Sequence, residues 1–407
     1  MKGLNKYASL ILALLAISGC AKDELEDETT PQPSSPKKEW YSIVKTDTIS
    51  SAQISYIISG QQIPIGNNVV RMSFLYHSIN DYDTLTLSGA VCWPVNKGTA
   101  STIWLDNHYT TTRWDQCPSQ DIMPILFLST MKSVICVAPD YQGLGLSTEL
   151  QQPYFNSVLL ATQSIDCMKA ALSLLHDYGP TLTDDFKTYN SGYSLGGAVS
   201  MGVARKIEAD AGLQSLIHLK KSFCGDGPYD QMALFEHFTA SPEQHLDYPL
   251  EFPCALLSVL YSSPEFAAQY NYQDIFSEKL ISCDILDSIN SKLYDTEQIN
   301  LMFNKAGCAT LKDQLSEDLL NPESDIFKAF RREIQKLDLT KGWSPSIPIL
   351  FCHSTKDSVV PIECLESIKQ NMKDNPNITY HILTSGDHWL VGIEFYKNLF
   401  LGQYSLD

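Results

Sequence analysis

Basic residues are scarce in this 407-residue chain, which carries 29 lysines and arginines against 47 aspartates and glutamates and a formal net charge of −18. Such a chain lacks the positive surface that neutralises phosphate groups, so nucleic acid is not an expected partner. The sequence also lacks an H-E-x-x-H motif, paired cysteine and histidine spacing, an EF-hand loop and a glycine-rich phosphate loop. We therefore expect no metal ion and no other cofactor.

The amino terminus has an apolar run that is too short to span a bilayer comfortably. It begins MKGLNKYASLILALLAISGC, with Lys2 and Lys6 before the apolar run and small residues before Cys20. A charged start, a short apolar core and small residues at the end are typical of a secretory signal peptide. The last four residues resemble the lipobox of bacterial lipoproteins, which implies a signal peptide at 1–19 and lipid on Cys20. An ordinary signal peptide with an incidental cysteine is the alternative.

Residues 20–45 are polar and rich in proline and serine, which predicts a disordered tether. The acidic cluster after Cys20 resembles the export signal of Bacteroidota surface lipoproteins. That resemblance implies an outer-membrane protein, held by the lipid on Cys20, and favours exposure at the cell surface.

The ten cysteines after Cys20 form no C-x-x-C pair. Cys136, Cys224 and Cys352 lie in apolar runs and are predicted to be small core residues. Cys283 and Cys308 lie in a polar region, so they are the disulfide candidates if the compartment is oxidising.

Alternating strand and helix patterns predict the fold class. The runs VVRMSFLYHSI and DTLTLSGAVCWP flank Asn80 and Asp81 and predict an antiparallel pair of strands. Six further β-rich runs follow: STIWLD, SVICVAP, FKTYNSG, LIHLKKSFCG, IPILFCH and ITYHILT. Helical segments separate them, which predicts an α/β protein with a doubly wound, mostly parallel sheet and antiparallel N-terminal strands.

One helix and one insertion stand out between these strands. NSVLLATQSIDCMKAALSLLHDYG has apolar residues at steps of three and four and ends at Gly179, which predicts a helix with one buried face.

Residues 228–342 break the alternation and are rich in helix-favouring stretches. We interpret them as a helical cap that divides the core domain into 46–227 and 343–407.

The segment G-Y-S-L-G places Gly192 and Gly196 on either side of Ser194. This pattern is typical of a strand-to-helix turn that strains the serine backbone and exposes its hydroxyl. A side chain at either glycine would push the helix away from the strand. Because FKTYNSG precedes the turn, Ser194 is expected at the carboxyl edge of the sheet, where active groups gather.

Asp357 and His388 also follow strands, so the chain order is Ser, Asp, His, as in the α/β-hydrolase triad. A serine hydroxyl needs a base to become a nucleophile, which His388 would supply, and Asp357 would orient the imidazole. Asp387 is the rival acid, although it lies too close in sequence to His388 to orient it easily.

Several polar residues near the predicted site are expected to have structural rather than catalytic roles. His108 and Asp140 are predicted to brace their own loops, and His353 to pack or hydrogen-bond near the acid loop. Asp226, in CGDGPYD, is expected in a turn, with a place in the pocket wall as the alternative.

The chain resembles the secretory-lipase type of α/β-hydrolase, which includes bacterial lipase-like esterases, from about residue 84 to 401 apart from the cap. The resemblance rests on SVICVAPDYQGLGLS, on PYFNSVLLATQSIDCMKAA and on the ordered triad. It implies Ser194, Asp357 and His388 as catalytic residues and carboxylic esters of acyl chains as substrates.

An oxyanion hole is also expected. Its donors would be the backbone N–H of Leu195 and one from the loop LDNHYTTT. The family usually has glycine after the histidine of this loop, but here Tyr109 follows His108, and Thr110 is our candidate for the second donor.

Two other functions remain open on the sequence alone. One is a serine peptidase of the prolyl-oligopeptidase-like kind, although nothing here resembles its propeller. The other is a non-catalytic surface binding protein on a hydrolase scaffold. The apolar side chains of the cap would either line an acyl pocket or form the core of the cap: Phe235, Phe238, Phe252, Leu256, Leu257 and Phe266.

Overall fold

The computed structural model describes residues 38–59, 66–80, 83–121 and 124–406. The predicted signal peptide at 1–19, the lipidation site Cys20 and most of the predicted tether lie outside the described residues. The end of the tether range, 41–45, is not disordered, because it belongs to the first strand, which pairs with the next one. The predicted tether at 20–45 therefore extends too far.

The strands of the described residues form one sheet of nine. They are β1 (Tyr41–Ile49), β2 (Val69–Ile79), β3 (Thr84–Pro94), β4 (Thr99–Asn107), β5 (Ile135–Pro139), β6 (Thr181–Tyr193), β7 (Leu219–Gly225), β8 (Ile349–Ser354) and β9 (Ile378–Leu383).

The strand order is β1-β2-β3-β5-β4-β6-β7-β8-β9. Strands β1 to β3 pair antiparallel with one another, and β3 pairs antiparallel with β5. The neighbours from β5 to β9 are all parallel. The predicted doubly wound sheet with antiparallel N-terminal strands is confirmed, and every predicted strand has its counterpart. Strand β1 and the helix after it were not predicted.

Helices cover this sheet and fill the predicted cap. Outside 228–342 they are α1 (Ser51–Ser59), α2 (Pro124–Lys132), α3 (Ser157–Tyr178), α4 (Leu195–Glu208), α5 (Ala211–Ile217), α16 (Glu363–Asn371) and α17 (His388–Leu401). Between β7 and β8 they are α6 (Gln231–Thr239), α7 (Glu251–Ser262), α8 (Pro264–Ala267), α9 (Tyr272–Ile275), α10 (Glu278–Ile281), α11 (Ile285–Ser291), α12 (Thr296–Ala306), α13 (Leu311–Gln314), α14 (Glu317–Leu320) and α15 (Asp325–Gln335).

Helix α3 is the long helix that the sequence predicts; it ends at Tyr178, and Gly179 is its C-cap. Its length and composition would suit a membrane span, but most of its side chains are buried within the protein. It contacts α4, β2 and β5, so it belongs to the layer that covers the sheet.

The segment between β7 and β8 consists of short helices with polar caps and buried apolar faces. Asp295 and Thr310, for example, cap α12 and α13 through their side chains. The six apolar residues that the sequence analysis weighed as pocket or core are buried within the main hydrophobic cluster. The exact boundaries of the cap stay a prediction.

The ten described cysteines are free thiols. Cys136, Cys224 and Cys352 are buried in the sheet, as predicted. The suggested disulfide between Cys283 and Cys308 is absent from the structure. The Cys283 thiol donates to the Lys279 carbonyl at 3.0 Å, and burial followed by the neighbouring Cys283 thiol raises the pKa of Cys308 to about 11.

Candidate active site

Ser194 lies in a strained turn between β6 and α4. Its φ of 57° and ψ of −126° are unusual for a residue with a side chain. A Cβ at Gly192 would lie 2.2 Å from the Gly196 carbonyl oxygen, and one at Gly196 would lie 1.9 Å from the Asn107 oxygen. The two glycines therefore let α4 start directly against the ends of β6 and β4.

His388 connects Ser194 to Asp357. Its Nε2 lies 3.0 Å from the Ser194 Oγ, and its Nδ1 lies 2.5 Å from the Asp357 Oδ2. The other carboxylate oxygen of Asp357 accepts the backbone N–H groups of Val359 at 2.8 Å and Val360 at 2.9 Å. This pairing puts the imidazole proton on Nδ1 and leaves Nε2 to accept the serine proton.

Parallel strands bring these three residues to one edge of the sheet. Ser194 follows β6 directly, Asp357 follows β8 by three residues, and His388 begins α17 after β9. The rival acid, Asp387, instead caps α17 by accepting the Leu390 N–H at 2.9 Å. Asp357 is therefore the carboxylate that contacts the imidazole.

Burial and mutual charge set the protonation of this pair. Burial alone would raise the pKa of Asp357, but His388 and the two backbone donors outweigh it and hold the pKa below its usual value. Burial lowers the pKa of His388, but the charge of the facing Asp357 raises it more, so the pKa lies above its usual value of 6.5. The geometry and charge suit a general base.

Comparison with known proteins gives matches in structure alone. No family model matches the sequence, and no curated protein matches it. The crystal structure of the rice cell wall degrading esterase LipA from Xanthomonas oryzae matches with a TM-score of 0.72 at 19% identity, over 91% of this chain and 98% of that one. Candida antarctica lipase A in its closed state matches with a TM-score of 0.65 at 14% identity, over 88% of this chain and 82% of that one.

The chain has the α/β-hydrolase fold. The fold that the family resemblance implies is thereby confirmed. In an α/β-hydrolase fold the turn after β6, the loop after β8 and the start of α17 are where a nucleophile, an acid and a base would be expected.

The hydrolase fold also indicates where oxyanion donors would lie. Leu195 is the first residue of α4, so its N–H has no acceptor within the helix. Thr110 lines the same cavity as Ser194, and its hydroxyl lies 3.1 Å from the Tyr154 hydroxyl. The roles of both N–H groups stay predictions.

His108 and Asp140 brace the loops around the site, as predicted. The ring nitrogens of His108 face the carbonyl oxygens of Tyr109 at 2.7 Å and Asp140 at 3.1 Å. Burial lowers the pKa of His108, although the two carbonyl oxygens act in the opposite direction. The Asp140 carboxylate accepts from the Ser119 N–H and the Ser88 hydroxyl. Neither residue contacts the serine–histidine pair.

Asp226 lies in the bend that directly follows β7, as the turn signals of CGDGPYD predict. Its side chain is fully buried, which the turn signals alone do not indicate, and its carboxylate accepts from the Ser354 N–H at 2.9 Å. The Tyr193 hydroxyl lies 2.8 Å from Asp226 Oδ2 and 2.5 Å from the His388 carbonyl oxygen. Tyr193 thus connects Asp226 to the residue that carries the imidazole.

One hydroxyl proton cannot serve both of those contacts. Both contacts can be hydrogen bonds if the Asp226 carboxyl is protonated. Its O–H then donates to the Tyr193 oxygen, and the Tyr193 O–H donates to the His388 carbonyl oxygen. Burial and then the charge of Asp357 raise the pKa of Asp226 to about 8, which favours this neutral form. His353 lies behind the carboxyl and donates through Nε2 to the Val360 carbonyl at 3.1 Å, as expected of a packing residue.

A cavity of about 430 Å³ opens onto Ser194 and His388. Aromatic side chains form much of its wall: Tyr109, Phe127, Tyr248, Trp389 and Phe400. The six apolar cap residues considered in the sequence analysis do not line it, so the cap-core alternative is the correct one. Much of the wall comes from α17, the helix that begins with the histidine.

Among the described residues no group of three or more His, Cys, Asp or Glu side chains is arranged to hold a metal ion.

Proposed function

We propose that this protein is a serine hydrolase that cleaves carboxylic esters of acyl chains through a covalent acyl-enzyme. Ser194 is the nucleophile, His388 the general base and acid, and Asp357 the group that orients the imidazole. The observation that carries the proposal is the pair of contacts made by His388, 3.0 Å to Ser194 Oγ and 2.5 Å to Asp357 Oδ2.

In the first half of the reaction Ser194 Oγ attacks the ester carbonyl carbon while its proton moves to His388 Nε2. The oxygen of the tetrahedral intermediate carries the negative charge, which the N–H groups of Leu195 and Thr110 would stabilise. The imidazolium then protonates the leaving alcohol. In the second half water attacks the acyl-enzyme carbonyl while its proton moves to His388 Nε2. The imidazolium then returns a proton to Ser194 Oγ as the bond to the acyl group breaks and the acid is released.

An ester rather than a peptide substrate is favoured by the cavity and by the matched structures. The cavity wall is aromatic and apolar around the serine, which suits an acyl chain better than a peptide backbone. The matched proteins are named an esterase and a lipase. If cleavage of aminoacyl 4-nitroanilides exceeded that of 4-nitrophenyl butyrate, the peptidase alternative would replace this proposal.

Attachment to the outer membrane through lipid on Cys20 belongs to the same proposal. It rests on the lipobox-like sequence at the amino terminus. A Cys20→Ala variant of the full chain is expected to leave the membrane fraction, and a variant that stayed there would contradict the anchor.

The test of the reaction is covalent labelling of the full chain, in detergent, with a fluorophosphonate, followed by peptide mapping. We expect one label per chain on Ser194, no label in Ser194→Ala, and greatly slowed labelling in His388→Ala. Ser241→Ala, which changes an exposed serine, is the matched control and should label normally. Full-rate ester hydrolysis by Ser194→Ala would refute the proposal.

A further inference from the structure

Glu251 is a buried carboxyl in the wall of the cavity that contains Ser194 and His388. It is the first residue of α7 and only 4% exposed. Glutamates in the first turns of neighbouring helices, such as Glu265 and Glu278, are exposed to solvent. The position of Glu251 at a helix start therefore does not by itself explain why its carboxyl is buried.

Within the part of the chain that the structure describes, the Glu251 carboxyl has no hydrogen-bond or ion-pair partner. None of the hydrogen bonds or ion pairs among the described side chains ends on it. The neighbouring Tyr248 hydroxyl bonds to Thr296 instead. Asp357 already occupies the imidazole Nδ1, so the triad does not use Glu251 either. Because Glu251 lines the cavity, a polar group of a molecule bound there can supply the missing partner, and a molecule without such a group would cover the carboxyl and leave it unpaired.

The surroundings of Glu251 favour a neutral partner over a cation. Burial raises the pKa of Glu251 to about 8, with the charge of His388 opposing this and that of Asp357 adding to it. Near neutral pH the group is therefore a carboxylic acid, which has one O–H donor and a carbonyl acceptor. A hydroxyl group has the matching acceptor and donor.

We propose that Glu251 binds a hydroxyl group that the substrate carries near its ester, so that hydroxylated esters are preferred over plain alkyl esters. This inference rests on the proposed function. An alkyl chain would leave the carboxyl buried and unpaired, whereas a hydroxyl would satisfy it, which is how a polar site rejects an analogue that lacks the polar group.

The test compares esters in which a hydroxyl replaces a methyl group. On the acyl side the pair is 4-nitrophenyl 3-hydroxybutyrate and 4-nitrophenyl 3-methylbutyrate. On the alcohol side the pair is 2-hydroxyethyl butyrate and propyl butyrate. For each pair the ratio of kcat/KM, hydroxylated over methylated, is measured for the full-length protein and its variants. Comparing ratios between proteins removes the intrinsic reactivity of each ester.

We expect Glu251→Met to lower the ratio about tenfold or more in at least one pair, because the buried hydrogen bond is lost. Glu251→Gln, which retains a donor and an acceptor, should keep most of the preference, and Glu278→Gln should not change it. Glu251→Ala serves as a second variant, and fluorophosphonate titration counts the folded active sites in each preparation.

Ratios that agree within about twofold between the parent and Glu251→Met in both pairs would overturn the inference, because no hydrogen bond then discriminates. The parent protein could also prefer butyrylcholine over propyl butyrate. If Glu251→Met abolished that preference and left the hydroxyl ratios unchanged, Glu251 would bind a cationic group and the inference would be overturned. If none of the esters is hydrolysed by the parent protein, the proposed function itself fails, and this inference with it.

Discussion

Replacing Tyr193 by phenylalanine removes the hydroxyl that connects the nucleophile strand, Asp226 and the histidine helix. The hydroxyl lies 2.5 Å from the His388 carbonyl oxygen and 2.8 Å from Asp226 Oδ2. The aromatic ring, whose centroid is 5.1 Å from that of His388, would remain. The change therefore isolates the effect of the hydroxyl on the position of the imidazole.

The magnitude follows from the groups left without a partner. One neutral hydrogen bond contributes about 1 kcal/mol net, and a buried polar group left without its partner costs about 1–3 kcal/mol. The free energy of unfolding should therefore fall by about 2–4 kcal/mol. Because a shift of about 1 Å in a reacting group can cost about a hundredfold in rate, we expect kcat to fall about 10- to 100-fold. KM should change little, since the tyrosine ring remains in the cavity wall and the lost hydroxyl contacts Asp226 and the His388 carbonyl oxygen.

The assay is steady-state hydrolysis of 4-nitrophenyl butyrate, with fluorophosphonate titration of the folded sites and a thermal melt. Tyr229→Phe is the matched control, since Tyr229 is fully buried and its hydroxyl has no partner among the described residues. A kcat for Tyr193→Phe within about twofold of the parent would refute the positioning role, because a rate ratio that small is well under 1 kcal/mol. An equal fall in Tyr229→Phe would also refute it.

Three further predictions concern the triad and its turn. Asp357→Asn should lower kcat by about 10⁴-fold, since the imidazole loses the partner that fixes its tautomer. The pH profile of kcat/KM should fall on the acid side with a midpoint above 6.5, because the pKa of His388 is raised and the protonated ring cannot accept a proton; a midpoint below 6.5 in the parent would contradict this. Gly196→Ala should destabilise by about 3 kcal/mol or more, because its Cβ would lie 1.9 Å from the Asn107 oxygen. In chemical denaturation Gly98→Ala, whose Cβ would meet nothing within 4 Å, is the control.

The sheet could be predicted from the sequence because its central strands are short apolar runs between clear helical segments. Strand β1 escaped prediction, since YSIVKTDTI mixes charged and apolar residues and adjoins a polar stretch. Its strand conformation depends on pairing with β2, for example Tyr41 with Tyr76, and that partner lies far along the chain. A pattern within one segment does not contain this information.

The proximity of Ser194, Asp357 and His388 could be predicted because each residue lies within a few residues of a strand end or, for His388, at the start of the helix after one. Topology then brings the strand ends together, so no long-range contact has to be guessed. Asp226 and Glu251 could not be found in this way. Asp226 precedes glycine, which is a common turn signal, and its burial depends on Tyr193 and Ser354 from other strands. Glu251 begins a helix, where an exposed glutamate is the usual outcome.

The carboxyls around His388 differ in charge because they differ in donors. Asp357 has two backbone N–H groups and the imidazole, which keep it ionised. Asp226 and Glu251 are buried with less compensation, and their pKa values rise to about 8. Near neutral pH the imidazole therefore faces one carboxylate rather than three, so its pKa is raised less than three charges would raise it. Above pH 8 the other two would ionise and favour the imidazolium, which works against loss of its proton. In their neutral forms the two buried acids therefore add no charge that would hold a proton on His388, whereas their ionised forms would raise the pKa of the imidazole.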